Sequence, residues 1–252
     1  MMIYALHGFL GRPHDWNVLF EGHFLHSHIH AVDLFDSSPL PLHAWAETFN
    51  NQVAKDKSAK RIVLGYSLGG RLAMHALLQQ PKLWDAAILI STHPGIETVS
   101  ARQSRRHLDE EWAMRFEHEP WEHLMEAWNG RAVFQRDAFR FTRHEADYQR
   151  DVLAAVLRQW SLGAQQGLSM QLAQLDLPIL WMAGGGDADY ARVAKETTFK
   201  HAHSRVAILP GVGHRVPWQA PGGFLEELMK FINPLRQETY DNNNVSKTMG
   251  VH

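Results

Sequence analysis

Residues 62–70 read Ile62-Val63-Leu64-Gly65-Tyr66-Ser67-Leu68-Gly69-Gly70, and the stretch that follows to Gln80 has the composition of a helix. A β-branched run that enters Gly-x-Ser-x-Gly and leaves as a helix describes a strand, a strained turn and a helix. The turn lifts the serine hydroxyl above the sheet, and the glycines remove side chains that would clash. Ser67 is thereby a candidate nucleophile or base, unless its side chain only caps the helix. What the rest of the chain places beside it decides between the two.

Upstream, Met2–Leu6 reads as a short buried strand running into His7-Gly8-Phe9-Leu10-Gly11. A His-Gly turn at a strand end exposes backbone N–H groups that can meet an oxyanion, with Phe9 N–H and Leu68 N–H as the natural pair. His7 itself is read as a residue that holds the loop. Trp16 falls in a first helix and, with Tyr66, is a candidate for the pocket lining. His28–Leu34 reads as the next strand, Ser37–Pro41 as a loop, and Leu42–Val53 has the apolar spacing of a helix. The series His23, His26, His28 and His30 straddles a loop and a strand with no carboxylate or cysteine at ligand spacing, so it reads as a solvated face, not a metal site.

Downstream, Ala86–Ser91 is another buried strand, ending at Thr92-His93-Pro94-Gly95. Strands alternating with helices imply a mostly parallel, doubly wound sheet that binds ligands beyond the carboxyl ends of its strands. Over Thr98–Leu175 the composition shifts to Arg, Glu, Gln, Trp and Ala, with apolar residues three and four apart, as in Trp112 and Phe116 or Leu153, Val156, Leu157 and Trp160. This is the pattern of a helical lid inserted over the sheet edge. The β pattern resumes at Leu177–Met182, followed by Gly184-Gly185-Gly186-Asp187, a helix over Ala191–His201, a strand over Arg205–Leu209, the loop Pro210–His214 and a final helix over Phe224–Ile232. The expected organisation is a core in two parts, 1–97 and 176–233, a lid at 98–175, and a disordered tail at 234–252 with Asn242-Asn243-Asn244 in it.

Composition narrows the partners. Twenty-five Lys and Arg against 27 Asp and Glu give a formal charge of −2, which favours neither nucleic acid nor an acidic membrane surface. The chain has no cysteine, which excludes disulfides and thiol chemistry and fits a reducing compartment. Its start shows no basic leader with a cleavage site, and no apolar run approaches the roughly 18 residues of a membrane span, so a cytoplasmic protein is expected. No phosphate-cradling loop follows the first strand, and neither a metal, a nucleotide nor a flavin is called for.

Ser67, Asp187 and His214 each follow a separate strand, in the order Ser, Asp, His. That is the order of the α/β-hydrolase fold, and the chemistry needs the set. A serine hydroxyl reacts only when a histidine takes its proton, and a carboxylate fixes the histidine tautomer and stabilises the imidazolium. Asp189 is the alternative acid. Asp187 is preferred because it follows the glycine turn directly, whereas Asp189 would already cap the next helix.

With those residues in place, His7-Gly8-Phe9-Leu10-Gly11, Trp16, Gly65-Tyr66-Ser67-Leu68-Gly69-Gly70-Arg71 and His93-Pro94-Gly95 together resemble the 2-succinyl-6-hydroxy-2,4-cyclohexadiene-1-carboxylate synthases of menaquinone biosynthesis. Arg105 with Asp109 and Trp112 resembles that family's first lid helix, and Leu162-Gly163-Ala164-Gln165 resembles a further segment. The resemblance implies an elimination: the histidine-activated serine removes a proton and pyruvate leaves as the ring diene forms. It also implies a small anionic substrate with several carboxylates, held by Arg71, Arg105 and Arg143, with Arg158 as the competitor to Arg143. A lid arginine can equally belong to a solvated helix face, and the insertion also holds Arg102, Arg106, Arg115 and Arg131. Two positions depart from the family. Asp33-Leu34-Phe35-Asp36-Ser37-Ser38 replaces its Asp-Leu-Pro-Gly-His-Gly, and Asp189 stands where a lysine is usual. The alternative activity is carboxylic ester hydrolysis through an acyl-serine, as in pimeloyl-carrier-protein methyl ester esterases, which share the Ser-Asp-His order.

Overall fold

In the computed structural model, residues 1–248 are described, with side chains through Arg236. Six strands, β1 (Met2–Leu6), β2 (Ile29–Val32), β3 (Arg61–Tyr66), β4 (Ala86–Ile90), β5 (Ile179–Gly184) and β6 (Arg205–Leu209), form one sheet in the order β2-β1-β3-β4-β5-β6. Every neighbouring pair is parallel. The central strands β3, β4 and β5 are almost wholly buried, which is why they read as continuous apolar runs and not as alternating ones.

Parallel strands require crossover helices, and these cover both faces. The helices are α1 (Pro13–Leu19), α2 (Leu42–Val53), α3 (Leu68–Gln79), α4 (Val99–His118), α5 (Trp121–Asn129), α6 (Arg150–Gln159), α7 (Ser169–Leu172), α8 (Ala188–Glu196), α9 (Val216–Gln219) and α10 (Pro221–Thr248). One core holds apolar residues of α2, α3, α7 and α8, among them Phe49, Leu72 and Leu77, against one face of the sheet, where Trp181 of β5 joins them. A second packs α1, α9 and α10 on the other face through Trp16, Phe20, Val216, Phe224 and Leu228. Chain direction across the sheet reverses between β1 and β3, so the carboxyl ends of these two strands flank the switch point where open α/β sheets bind ligands.

Helices α4 to α7 occupy the segment between β4 and β5, and no strand lies in it among the described residues. Phe116, Trp121, Leu124, Trp128, Leu153 and Leu157 bury their own small core, which reaches down to Leu10 and Phe9 of the β1 loop. This seats the inserted helices directly over the carboxyl edge of the sheet.

Several elements differ from the sequence reading at their ends. The strand expected at His28–Leu34 is Ile29–Val32. Leu34 N–H turns away to donate to His7 Nε2 at 3.1 Å, while Phe35 N–H bonds Asp33 Oδ1 at 3.0 Å, so the Asp33 loop closes on its own side chain. The helix after β5 starts at Ala188, three residues before the expected Ala191, because Asp187 caps it. The final helix is Pro221–Thr248, not Phe224–Ile232. Residues 234–248 of the expected disordered tail continue this helix, which corrects that expectation, and 249–252 lie outside the described residues.

Candidate active site

The turn after β3 forms because glycine alone fits there. A Cβ on Gly65 would sit 2.5 Å from the Gly69 carbonyl oxygen and 2.6 Å from Gly70 Cα, so any larger residue would push the helix off the strand. Ser67 at the apex has φ 53° and ψ −112°, a conformation that a non-glycine residue holds only when its surroundings over-determine it. Those surroundings are visible: Ser67 N–H donates to Ile90 O at 2.8 Å, and its own carbonyl accepts from Thr92 Oγ1 at 2.8 Å. The serine side chain makes no helix-capping hydrogen bond. Its hydroxyl instead donates to His214 Nε2 at 3.1 Å, and His214 Nδ1 donates to Asp187 Oδ2 at 2.6 Å.

His214 and Asp187 are 2% and 6% exposed at the side chain, so this chain of hydrogen bonds is shielded from water and its geometry is held. Asp187 takes a second bond from Tyr190 N–H as the cap of α8, whereas Asp189 lies in the first turn, 90% exposed, and reaches toward Arg192. The preference for Asp187 over Asp189 agrees with this placement, but the reason given for it needs correction: the cap is Asp187 itself, and one carboxylate serves both ends.

The β1 loop closes by a Gly11 N–H to Gly8 O bond of 2.9 Å, with Leu10 at φ 60°. A positive φ at the third turn position is usually given to glycine, so strain is held here as well. His7 is fully buried beneath the turn. Its Nδ1 donates to Gly8 O at 2.8 Å and its Nε2 accepts from Leu34 N–H, a pairing that suits one neutral tautomer and leaves the ring to brace the loop. The Phe9 ring packs into the inserted helices, 5.1 Å from Phe116 and 4.8 Å from Trp128. Leu68, the first residue of α3, has an N–H with no acceptor inside its own helix. Phe9, Leu68 and Ser67 all line one cavity of about 540 Å³.

Tyr66, Arg71, Arg105 and Arg143 line the same cavity. Trp16 does not, and the pocket-lining expectation for it is corrected. It is fully buried in the core, stacked 6.5 Å from Phe20, because the inner face of α1 packs onto the sheet. The indoles at the cavity are Trp128, Trp160 and Trp218 of α9; Trp218 contacts Trp16 at 5.0 Å and meets the Tyr66 ring edge-on at 4.9 Å. Tyr190, missed in the sequence reading, packs edge-on against His214 at 4.6 Å, and Phe134 covers another part of the same ring at 5.6 Å.

Arg71 is buried, with Nη2 donating to Trp160 O at 2.6 Å and Nη1 to Gln165 Oε1 at 3.4 Å. Both acceptors are neutral. Burial first, then the charge of Arg105, pulls its pKa down to about 10, so it remains a cation at neutral pH. Arg105 is held through Nε alone by both oxygens of Asp109 at 2.9 Å, and Asp109 is in turn fixed by Ser161 Oγ at 2.7 Å. Arg143 is already engaged by both oxygens of Asp15, at 2.9 and 2.6 Å. Arg158 lies away from the cavity, clamped by Glu110 and Glu117 on the outer face. His93, also at the cavity, is pushed down to about 4 by burial and by Arg71, and is neutral at pH 7.

Among the described residues no group of three or more His, Cys, Asp or Glu converges as a metal would need. No described helix is long and apolar enough to cross a membrane. The cavity thus combines a serine hydroxyl hydrogen-bonded to a histidine with buried guanidinium groups. Such an arrangement can abstract a proton or attack a carbonyl, and it favours negatively charged ligands.

Known proteins share this framework. The chain is 29% identical over 239 residues, covering 90% of its length, to 2-succinyl-6-hydroxy-2,4-cyclohexadiene-1-carboxylate synthase of Salmonella typhimurium, 92% of which is matched. The enzyme of the same name from Citrobacter koseri is 27% identical over 238 residues, with the same coverage of both chains. Among solved structures, MenH from S. aureus superposes with a TM-score of 0.84 at 21% identity, covering 93% of this chain and 94% of that one. A thermophilic esterase from Thermogutta terrifontis superposes at 0.65 and 18% identity, covering 93% and 90%. A profile described as the alpha/beta hydrolase family matches residues 3–227, and with the parallel sheet and the strained serine turn at its switch point, the chain belongs to that family of enzymes.

Proposed function

We propose that this enzyme is a lyase that eliminates pyruvate from 2-succinyl-5-enolpyruvyl-6-hydroxy-3-cyclohexene-1-carboxylate, with Ser67, His214 and Asp187 as its catalytic residues. His214 takes the Ser67 proton as the serine oxygen removes a proton from the ring, and Asp187 keeps Nε2 of His214 free to receive it. The electron pair of the broken C–H bond at C2 forms the C2–C3 double bond, the existing C3–C4 double bond shifts to C4–C5, and the C5–O bond breaks to release the enolpyruvyl oxygen. The released enolate takes the proton held on His214 and leaves as pyruvate, while the ring proton stays on the Ser67 oxygen and restores its hydroxyl. Phe9 and Leu68 N–H would hold the oxyanion that develops on the carbonyl activating that C–H bond.

The observation that carries this reading is Arg71. A guanidinium buried beside the serine turn and bonded only to neutral acceptors is an unmatched charge, costly to keep unless a ligand supplies the anion. Arg105 adds a second cation, its terminal nitrogens without a hydrogen bond among the described residues. The names of the relatives at 29% and 27% identity support the same substrate. Ester hydrolysis through an acyl-serine is the second reading, favoured by the Ser–His–Asp geometry itself and by the esterase fold likeness.

The two separate in the Arg71→Gln variant assayed on both reactions. The lyase reading expects kcat/KM for pyruvate release to fall by about 100-fold, and short neutral ester turnover to change by less than about threefold, because a charge-assisted contact contributes roughly 1.5–3 kcal/mol. Equal losses on both substrates would remove the anion-holding role of Arg71.

A further inference from the structure

The guanidinium groups around the cavity differ in what already neutralises them. Arg105 has Asp109, Arg143 has both oxygens of Asp15, and Arg215 has Asp137 at 3.5 Å. Arg71 has only neutral acceptors. Arg131, which follows α5, has neither: it makes no side-chain hydrogen bond or ion pair among the described residues. Its guanidinium carbon instead lies 4.2 Å from the Trp128 ring centroid and 5.3 Å from that of Trp112. Its side chain lines the cavity with those of Arg71 and Arg105.

Stacking on indole faces satisfies the plane of a guanidinium and leaves its five N–H donors, which lie in that plane, unused. Trp112 and Trp128 are themselves packed edge-on at 5.0 Å, and Phe116 braces Trp128 at 5.5 Å, so the two indoles are not free to swing away. The Arg131 backbone is pinned as well, its N–H bonded to Trp128 O at 3.3 Å and its carbonyl accepting from Phe134 N–H at 2.9 Å. Burial and the charge of Arg105 lower its pKa to about 10, which leaves it a cation at neutral pH. A rigid, partly dehydrated donor fork with no internal acceptor is suited to a carboxylate.

We propose that Arg131 is a substrate-holding residue: stacked on Trp112 and Trp128, it offers its free edge to one carboxylate of a ligand whose other carboxylates meet Arg71 and Arg105. The proposal reassigns the third cation from Arg143, whose fork Asp15 already occupies, to a residue that the sequence reading named only among the further arginines of the insertion. It rests on the lyase reading for the identity of the substrate, which carries carboxylates on the ring, the succinyl arm and the enolpyruvyl arm. It does not rest on that reading for the existence of a polyanion site.

Titration calorimetry with tricarballylate and with acetate tests it on the full chain, in the unaltered protein and in Arg131→Gln and Arg131→Lys. Tricarballylate should bind the unaltered protein at least about tenfold more tightly than acetate does, and Arg131→Gln should raise its Kd about ten- to a hundredfold while moving that of acetate less than threefold. Arg131→Lys, which keeps the charge and the stem, should recover part of the loss. In the pyruvate assay, Arg131→Gln should raise KM more than it lowers kcat, as expected for a contact made equally in ground and transition states. Equal binding of the two anions by the unaltered protein, or tricarballylate binding unchanged in Arg131→Gln, would overturn the proposal. So would a loss shared equally by both anions and not recovered by Arg131→Lys, which would mark Arg131 as packing only. Absence of pyruvate release by the unaltered protein would count against the lyase reading, while the calorimetry would still decide Arg131.

Discussion

Ser67 at φ 53° holds its hydroxyl off the helix end and onto His214 Nε2, and on the proposed mechanism its oxygen takes the substrate proton. Ser67→Ala should therefore lower kcat for pyruvate release by at least about 10³-fold with little change in KM, measured by coupled pyruvate detection. Arg71 gives a second prediction from its lowered pKa. The folded protein favours the neutral guanidine more than water does, so the cation is present below about pH 10 and lost above it. KM for the anionic substrate should rise as pH passes through 10, whereas that for a neutral ester should stay level. At this scale the sequence was most informative where chemistry forces a pattern: the glycines around Ser67, and an acid and a histidine at strand ends. It was silent on Arg131, because a stretch with arginines at 102, 105, 106, 115 and 131 does not reveal which of them meets two indoles and which meets Glu119 or a main-chain carbonyl.

The inserted helices act as one element through few but specific links to the core. Arg143 grips Asp15, Arg12 pairs with Asp147, Tyr148 donates to Leu10 O at 2.8 Å, and Arg215 reaches Phe139 O at 3.0 Å and Asn129 Oδ1 at 2.7 Å. Most of these converge on residues 129–148, the same segment that supplies Arg131 and Phe134 to the cavity. Removing Asp15 leaves the Arg143 cation buried without its partner, so Asp15→Asn should destabilise the fold by about 3 kcal/mol in urea titration. Amide exchange in residues 129–148 should quicken more than in β3 or β4. The existence of the insertion was legible from its helical spacing and its lack of β pattern. Its contacts were not, since every one joins residues far apart in sequence, and the same distance in sequence explains why Trp218, not Trp16, reaches the cavity.

Across the whole molecule, the parallel sheet brings the loops after β1, β3, β5 and β6 to one edge at the switch point, and the inserted helices cover that edge. The order of elements and the sheet type could be read from alternating apolar and helical segments, while the helix ends moved by a few residues where a cap such as Asp187 decided them. Burial of histidines also has a global consequence. His75 and His93 are both pushed down to about 4 by burial and by Arg71, while in the unfolded chain they titrate near 6.5. The unfolded state then binds protons that the folded state refuses, so their contribution to stability is full above about pH 6.5 and is lost as pH falls toward 4. Urea midpoints measured between pH 4.5 and 7 should rise with pH, and a His75→Asn, His93→Gln double variant should flatten the slope. The central claim, elimination at an anion-holding serine site, is tested most directly by supplying the purified enzyme with the succinyl-enolpyruvyl cyclohexene carboxylate and a short neutral ester in parallel. Fast pyruvate release with slow ester turnover, both abolished in Ser67→Ala, is the predicted result, and rapid ester hydrolysis without pyruvate release would contradict it.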